Sequence, residues 1–258
     1  MNADGETVTR EYLREVVERD QRLDAEREVR RLFTKLSKVR APQEGDTLLD
    51  VGCGTGALTA ALGRHGIQAT GIDVVPEFVR VARQLHPSTA FQVGEAESLP
   101  FAAESFTFVV LASVLEHVGD WRLTLAEAAR VLAPGGVLYL HTSNRLWPLQ
   151  GEIRHFPGFG YLPGPLQRHI YRLAMKYRPG LIGHTHLPAY HWLTWWQVAG
   201  ALRRLGLEPH SWITLMRRED LPKRYRRFAW LLNAIQRSPV PLHPFAPIAN
   251  VVLARKPS

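Results

Sequence analysis

Through the first forty residues apolar side chains return every three or four positions. Tyr12, Leu13, Val16, Val17, Leu23, Val29, Leu32, Phe33 and Leu36 stand between Glu and Arg. That spacing predicts one helix over residues 6–40, ended by the turn at Pro42–Gly45. Glu15 with Arg19 and Glu18 with Arg22 are acid-to-base pairs one turn apart that support its exposed face. The period then shortens. Thr47–Val51, Ala69–Ile72, Ala90–Val93, Phe106–Leu111 and Val137–Thr142 read as strands. Ala57–His65, Pro76–His86 and a segment near Trp121–Leu132 read as the helices between them. Short strands alternating with helices of about ten residues predict a parallel, doubly wound sheet.

Beyond residue 144 the alternation stops. Residues 144–191 carry Pro148, Pro157, Pro163, Pro165, Pro179 and Pro188, five histidines, and one predicted helix near Leu166–Tyr177. The stretch reads as an insertion after the fifth strand. Thr194–Leu205 returns to a helix, with Thr194 as N-cap and Gly206 as stop. Glu208–Leu215 and Ile248–Ala254 are predicted as the last two strands, with a basic, aromatic helix near Lys223–Arg237 between them.

Of the 258 residues 45 % are apolar, enough for a packed core, and one cysteine excludes a disulfide framework or a Cys-based zinc or iron–sulfur site. No run of about 18 apolar residues occurs and the first residues are polar, so the expected location is the cytoplasm. The net charge of +8 conceals a division: residues 1–140 hold 15 basic and 20 acidic groups, residues 141–258 hold 17 and 4. A basic half points to an anionic partner, a nucleic acid, a membrane surface or a phosphorylated substrate, or to a solvated positive face.

The candidate chemistry starts at Asp50-Val-Gly52-Cys-Gly54-Thr-Gly56, directly after the first strand. Its glycines allow a tight turn and let a ligand approach the backbone at the next helix N-terminus. Asp73 ends the second strand, where a carboxylate can accept both hydroxyls of a ribose. These two features fit NAD or another adenosine cofactor equally.

Five segments in order narrow the choice. They are Leu-Asp-Val-Gly-Cys-Gly-Thr-Gly at 49–56, Gly-Ile-Asp at 71–73, Gly-Glu-Ala-Glu-Ser-Leu-Pro-Phe at 94–101, Val-Leu-Glu-His-Val at 114–118 and Leu-Ala-Pro-Gly-Gly at 132–136. Together they resemble the class I S-adenosylmethionine-dependent methyltransferases of the small-molecule group. The resemblance implies a Rossmann-like, seven-stranded, mostly parallel α/β sheet with an insertion after the fifth strand. The resemblance covers residues 47–142; with the length and the pattern of elements, the chain reads as one domain over 1–258: an N-terminal helical segment (1–45), a cofactor-binding core (46–143), an acceptor-side insertion (144–191) and a C-terminal half of the sheet with the basic helix (192–258). The resemblance places Asp50, Gly52, Gly54 and Gly56 at the methionine end of S-adenosylmethionine. Asp73 would hold the ribose, Val74, Glu95 and Ala96 would meet the adenine, and the backbone near Leu111 would bind the amino group. Thr107 departs from the aspartate usual in the fourth strand.

Val-Leu-Glu-His-Val followed by Ser143-Asn144-Arg145 is similar, more narrowly, to the O-methyltransferases of ubiquinone biosynthesis. In that group a Glu-x-x-Glu-His cluster can hold a divalent metal and an insertion contacts lipid. Glu116 and His117 match, but Ser113 replaces the first carboxylate, and a hard cation wants several oxygens, so no metal is expected. His117 and His186 are the candidate proton acceptors, each with a plainer structural role as the alternative; His155, His184 and His191 are weighed likewise. Tyr190, Trp192, Trp195 and Trp196 read as core packing, an acceptor pocket or a membrane-interface anchor. Arg217, Arg218, Lys223, Arg224, Arg226 and Arg227, beside Tyr225, Phe228, Trp230, Leu231 and Leu232, suit anionic lipid, RNA or a solvated face.

The expected function is therefore transfer of a methyl group to an oxygen, less readily a nitrogen, of a small-molecule or lipid-linked acceptor, bulky or anionic. An anionic membrane surface at the inner face of a membrane is the expected further partner. A nucleic-acid methyltransferase is disfavoured: Leu111-Ala-Ser-Val stands where amino-methylating enzymes carry an Asn- or Asp-Pro-Pro cluster, and Cys53 lies in the cofactor loop. A non-catalytic S-adenosylmethionine-binding protein is the other alternative.

Overall fold

The computed structural model describes residues 10–22, 24–146, 153, 156, 158–182, 189–221, 223–237 and 249–258. Its centre is a seven-stranded sheet: β1 (Thr47–Val51), β2 (Gln68–Asp73), β3 (Ala90–Val93), β4 (Phe106–Ala112), β5 (Leu132–Ser143), β6 (Glu208–Ser211) and β7 (Ala249–Arg255). The spatial order is β3-β2-β1-β4-β5-β7-β6. β1 to β5 run parallel, and β7 is antiparallel to both β5 and β6. The predicted mostly parallel, doubly wound sheet is thus observed, with β7 as its one reversed strand.

Successive strand residues point to opposite faces, and both faces are covered, which is why the strands read as continuous apolar runs. Leu49, Val51, Val109, Leu111, Leu138 and Leu140 pack under α5 (Trp121–Val131) and α7 (Trp195–Arg204). Leu48, Phe108, Val110, Val137 and Tyr139 pack under α2 (Ala25–Leu36) and α3 (Ala57–Arg64). α4 (Pro76–Leu85) lays Val79 and Ala82 on Phe91 of β3. Thr107 forms a local pair instead of an acid contact: the Thr47 hydroxyl accepts from the Thr107 amide at 2.9 Å.

Four expected elements change. The single helix over 6–40 is two, α1 (Arg10–Arg22) and α2, because the Asp24 carboxylate caps α2 by accepting from the Arg27 amide. β5 begins at Leu132, five residues early, since Leu132 already pairs with Phe106 before an irregularity in the ladder. The strand expected over Glu208–Leu215 ends at Ser211, and Trp212–Leu215 turns into a short helix, α8. Its carbonyls find a different partner: the Gln236 amide donates to Ile213 O and Met216 O at 2.8 and 2.9 Å. The basic segment divides into a 3₁₀ stretch, Lys223–Phe228, and α9 (Ala229–Arg237).

The insertion leaves and re-enters at one point. Asn144 bridges to Leu193, and the Arg145 amide donates to Leu193 O at 3.1 Å. Between them α6 (Gly164–Tyr177) builds a small separate core in which Phe159, Tyr171, Ile153 and Trp192 meet.

Candidate functional site

Strand order reverses direction between β1 and β4: β2 and β3 lie to one side, β5 to the other. At such a switch point the loops leaving the strand ends diverge and open a crevice. Register brings the candidate residues to it. Val51 pairs with Ile72 and Leu111, so the glycine loop, Asp73 and the segment after Leu111 leave the sheet side by side.

The loop from β1 to α3 is shaped by left-handed glycines. Gly52, Gly54 and Gly56 have φ of 74°, 56° and 82°. A Cβ on Gly52 would lie 2.7 Å from Val114 Cγ2, and one on Gly56 would strike the Phe91 ring. Glycine is required there by conformation and by packing at once. Gly52 N and Cys53 N donate to Ile72 O, which ties the loop to the end of β2.

Two carboxylates flank the loop and both are buried. Asp50 accepts from the Thr59 hydroxyl at 2.6 Å. Burial pushes its carboxyl up to about 6, against that hydrogen bond and with help from the Asp73 charge. Asp73 accepts from Gly54 N and Val75 N, each at 2.9 Å. Burial raises it too, and these backbone amides only partly offset the effect. Among the described residues the groups holding the two carboxylates are amides and a hydroxyl, not cations. A third acid, Asp20 of α1, accepts from the Thr55 hydroxyl at 2.5 Å. Such surroundings repel a diphosphate and suit a ligand with hydroxyl donors and a positive charge, which S-adenosylmethionine has and NAD lacks at this loop. The residues present therefore fit that cofactor. Burial also raises the Cys53 thiol, well away from a reactive thiolate.

Placement of the remaining expected residues is uneven. Val74 is half-buried beside Val75 and Phe78. Ala96 packs on the main core, while Glu95 is exposed. The acid of that segment with a structural partner is Glu97, whose carboxylate accepts from Gly119 N at 2.8 Å. The Leu111 side chain is 1 % exposed and belongs to the core. The accessible positions follow it, Ala112 and Ser113. Ser113 is a non-glycine residue at φ 59°, held by its amide on His141 O at 2.7 Å and its hydroxyl 3.2 Å from His141 Nδ1. Two contacts to His141 thus hold Ser113 in a left-handed conformation at the turn leaving this strand end.

That turn delivers Glu116 and His117. His117 is half-buried and its amide donates to Val114 O at 2.9 Å. Glu116 is buried, accepts from the Thr142 hydroxyl at 2.8 Å, and is pushed by burial to about 7, against bonds from its own amide and Thr142. Its backbone oxygen accepts from Tyr190 N at 2.7 Å and His191 N at 3.3 Å. The return of the insertion is thereby seated on the loop after β4. Trp192, 4 % exposed, has an indole N–H without a hydrogen-bond partner among the described residues. Trp195 is buried in the main core, and Trp196 is 42 % exposed. His155, His184 and His186 lie outside the described residues. Among the described residues no three His, Cys, Asp or Glu side chains converge as a metal site.

Comparison with known proteins agrees with this geometry. Residues 49–140 match the family model described as a methyltransferase domain. Over 114 residues the chain is 43 % identical to a ubiquinone biosynthesis O-methyltransferase of Xanthomonas campestris pv. campestris, covering 41 % of this chain and 46 % of that protein. The chain thus spans about half the length of that relative. Over 184 residues it is 29 % identical to the protein of the same name from Coxiella burnetii, covering 70 % of this chain and 73 % of the relative. An S-adenosylmethionine-dependent methyltransferase structure from Mesorhizobium loti superposes with a TM-score of 0.57 at 18 % identity, over 86 % of this chain and 95 % of that one. Residues 49–140 are thus similar to a methyltransferase domain, and the fold is that of the Mesorhizobium loti structure.

Proposed function

We propose that the protein is an S-adenosylmethionine-dependent methyltransferase acting on an oxygen of a small-molecule or lipid-linked acceptor. The observation that carries the reading is the switch-point crevice, where a left-handed glycine loop lies between Asp50 and Asp73, two buried carboxylates without cationic partners among the described residues. Asp73 offers acceptors to ribose hydroxyls, and the Gly52–Gly56 turn exposes backbone to the amino-acid end. The cofactor, when bound, supplies a methyl group already activated on a sulfonium. What remains for the chain is to align the acceptor, exclude water and remove the acceptor's proton. Glu116 and His117, at the junction of the β4 loop and the insertion, are the described groups suited to that proton, and His186 is a further candidate. The preference for oxygen and for a lipid-linked acceptor rests on the named relatives.

Calorimetric titration of S-adenosylmethionine into wild type and Asp73→Ala tests the cofactor reading. Micromolar binding by the wild type and a loss of at least about tenfold in the variant are expected. Equal affinities would sink it. Transfer of labelled methyl to phenols with and without an isoprenoid tail then tests the acceptor class.

A second proposal concerns the surface. α6 buries Gln167 and Tyr171 and shows a separate stripe of Leu166, Leu173 and Tyr177, which are 44, 43 and 65 % exposed. His169, Arg172 and Lys176 are exposed beside it, and α6 contains no acid. An apolar stripe edged by basic groups supports docking on an anionic membrane surface, the place where a lipid-linked acceptor resides.

A further inference from the structure

We propose that Asp20 is a specificity-determining residue that makes the site prefer the cationic cofactor over its neutral product. The inference rests on the methyltransferase reading above. α1 lies outside the sheet, and its apolar residues Leu13 and Val16 pack on Val74, Val75 and Phe78, across the end of β2 and the start of α4. One turn further, Asp20 accepts from the Thr55 hydroxyl, and the same carboxylate oxygen lies 3.8 Å from where a Cβ would stand on Gly54. The helix therefore touches both ends of the crevice, Val74 at one and the glycine loop at the other. Asp20, Asp50 and Asp73 all act electrostatically on Cys53 in that loop. Asp50 and Asp73 come from the sheet, whereas Asp20 is brought by a covering helix that packs on Val74, Val75 and Phe78.

S-adenosylmethionine and the product left after transfer share their adenine, ribose and amino-acid groups. They differ by a methyl group and the sulfonium charge, because the electron pair of the broken S–CH₃ bond stays on sulfur. Hydrogen bonds and charge attraction to the shared groups, the ammonium included, serve both molecules and cancel in the comparison; what a carboxylate beside the loop adds for one of them alone is attraction to the sulfonium. Asp20 thus biases the site toward loading substrate and releasing product.

Calorimetry on the full chain at low salt, with S-adenosylmethionine and S-adenosylhomocysteine as separate ligands, reads this directly. Asp20→Asn keeps the shape and an acceptor for Thr55 while removing the charge. The ratio of the two dissociation constants is expected to shift about three- to fivefold against S-adenosylmethionine, as for a partly solvated charge pair. Asp20→Glu, which keeps the charge, is expected to retain the wild-type ratio, and thermal unfolding checks that both variants fold. An unchanged ratio in Asp20→Asn, whether both affinities hold or both fall together, overturns the inference and leaves the methyltransferase reading standing. Failure of the wild type to bind either ligand overturns that reading and the inference with it.

Discussion

Glu116 is a carboxyl that the folded chain prefers to keep neutral. In the unfolded chain it titrates at the ordinary 4.5, and in the folded chain burial moves it to about 7. Between those values the unfolded state bears a charge that the folded state resists, so stability declines as pH rises through the interval and stays reduced above it. Glu116→Gln keeps an acceptor for Thr142 and removes the titration. Urea denaturation should show the variant about 2–3 kcal/mol more stable than wild type at pH 8 and nearly equal to it at pH 4.5. Parallel stability curves across that range would assign the penalty elsewhere. The glycine loop makes the opposite case, a position where nothing can be added. Gly56→Ala forces a side chain into a left-handed conformation and against Phe91. A loss of about 2–4 kcal/mol is expected by the same method. Gly56 was legible in the sequence because its demand is local to one turn. Asp20 and Thr142 were not, since each acts on a residue 35 or 26 positions away and only the folded chain joins them.

Elements were legible where both sheet faces or one helix stripe imposed a period. Thr47–Val51 and Ala90–Val93 were read to the residue, and Thr194 caps α7 with Gln197 completing a reciprocal box. Boundaries failed where a distant partner decided them, as Gln236 does for Trp212–Leu215. The C-terminal decoration shows the same dependence. Lys38, in the turn after α2, pairs with Asp220 at 2.8 Å, their side chains only 16 and 6 % exposed. Asp220 also accepts from Arg217 N at 2.6 Å. Arg226 reaches back to Leu221 O and Glu219 O at 3.2 and 3.1 Å. Part of what reads as a basic surface run is thus engaged in holding its own turn. Asp220→Ala leaves a buried ammonium and is expected to cost about 2–4 kcal/mol. Hydrogen exchange should speed up over residues 212–237 and stay slow in β1, β4 and β5; unchanged protection at 212–237 would show that Lys38 does not anchor the segment.

For the whole molecule the division of charge acquires a location. The acidic part contains the crevice proposed to hold the cofactor, where Asp20, Asp50 and Asp73 stand, and the basic part contains α6 and the C-terminal helices. No described helix is long and apolar enough to cross a membrane, so the proposed contact is with the surface. Its strength would combine insertion of Leu166, Leu173 and Tyr177 with attraction of the flanking bases, and only the second part is screened by salt. Sedimentation with phosphatidylglycerol-containing vesicles should therefore weaken as salt rises without vanishing, and neutral vesicles should retain less protein. Leu173→Glu removes one apolar contact and adds a like charge to the lipid. A fall of about tenfold or more in vesicle affinity is expected, with the melting temperature and S-adenosylmethionine binding unchanged because Leu173 is 43 % exposed and belongs to neither core. Vesicle binding that ignores lipid charge, salt and Leu173→Glu alike would return α6 to an ordinary solvated face, and the acceptor would then have to reach the crevice from solution.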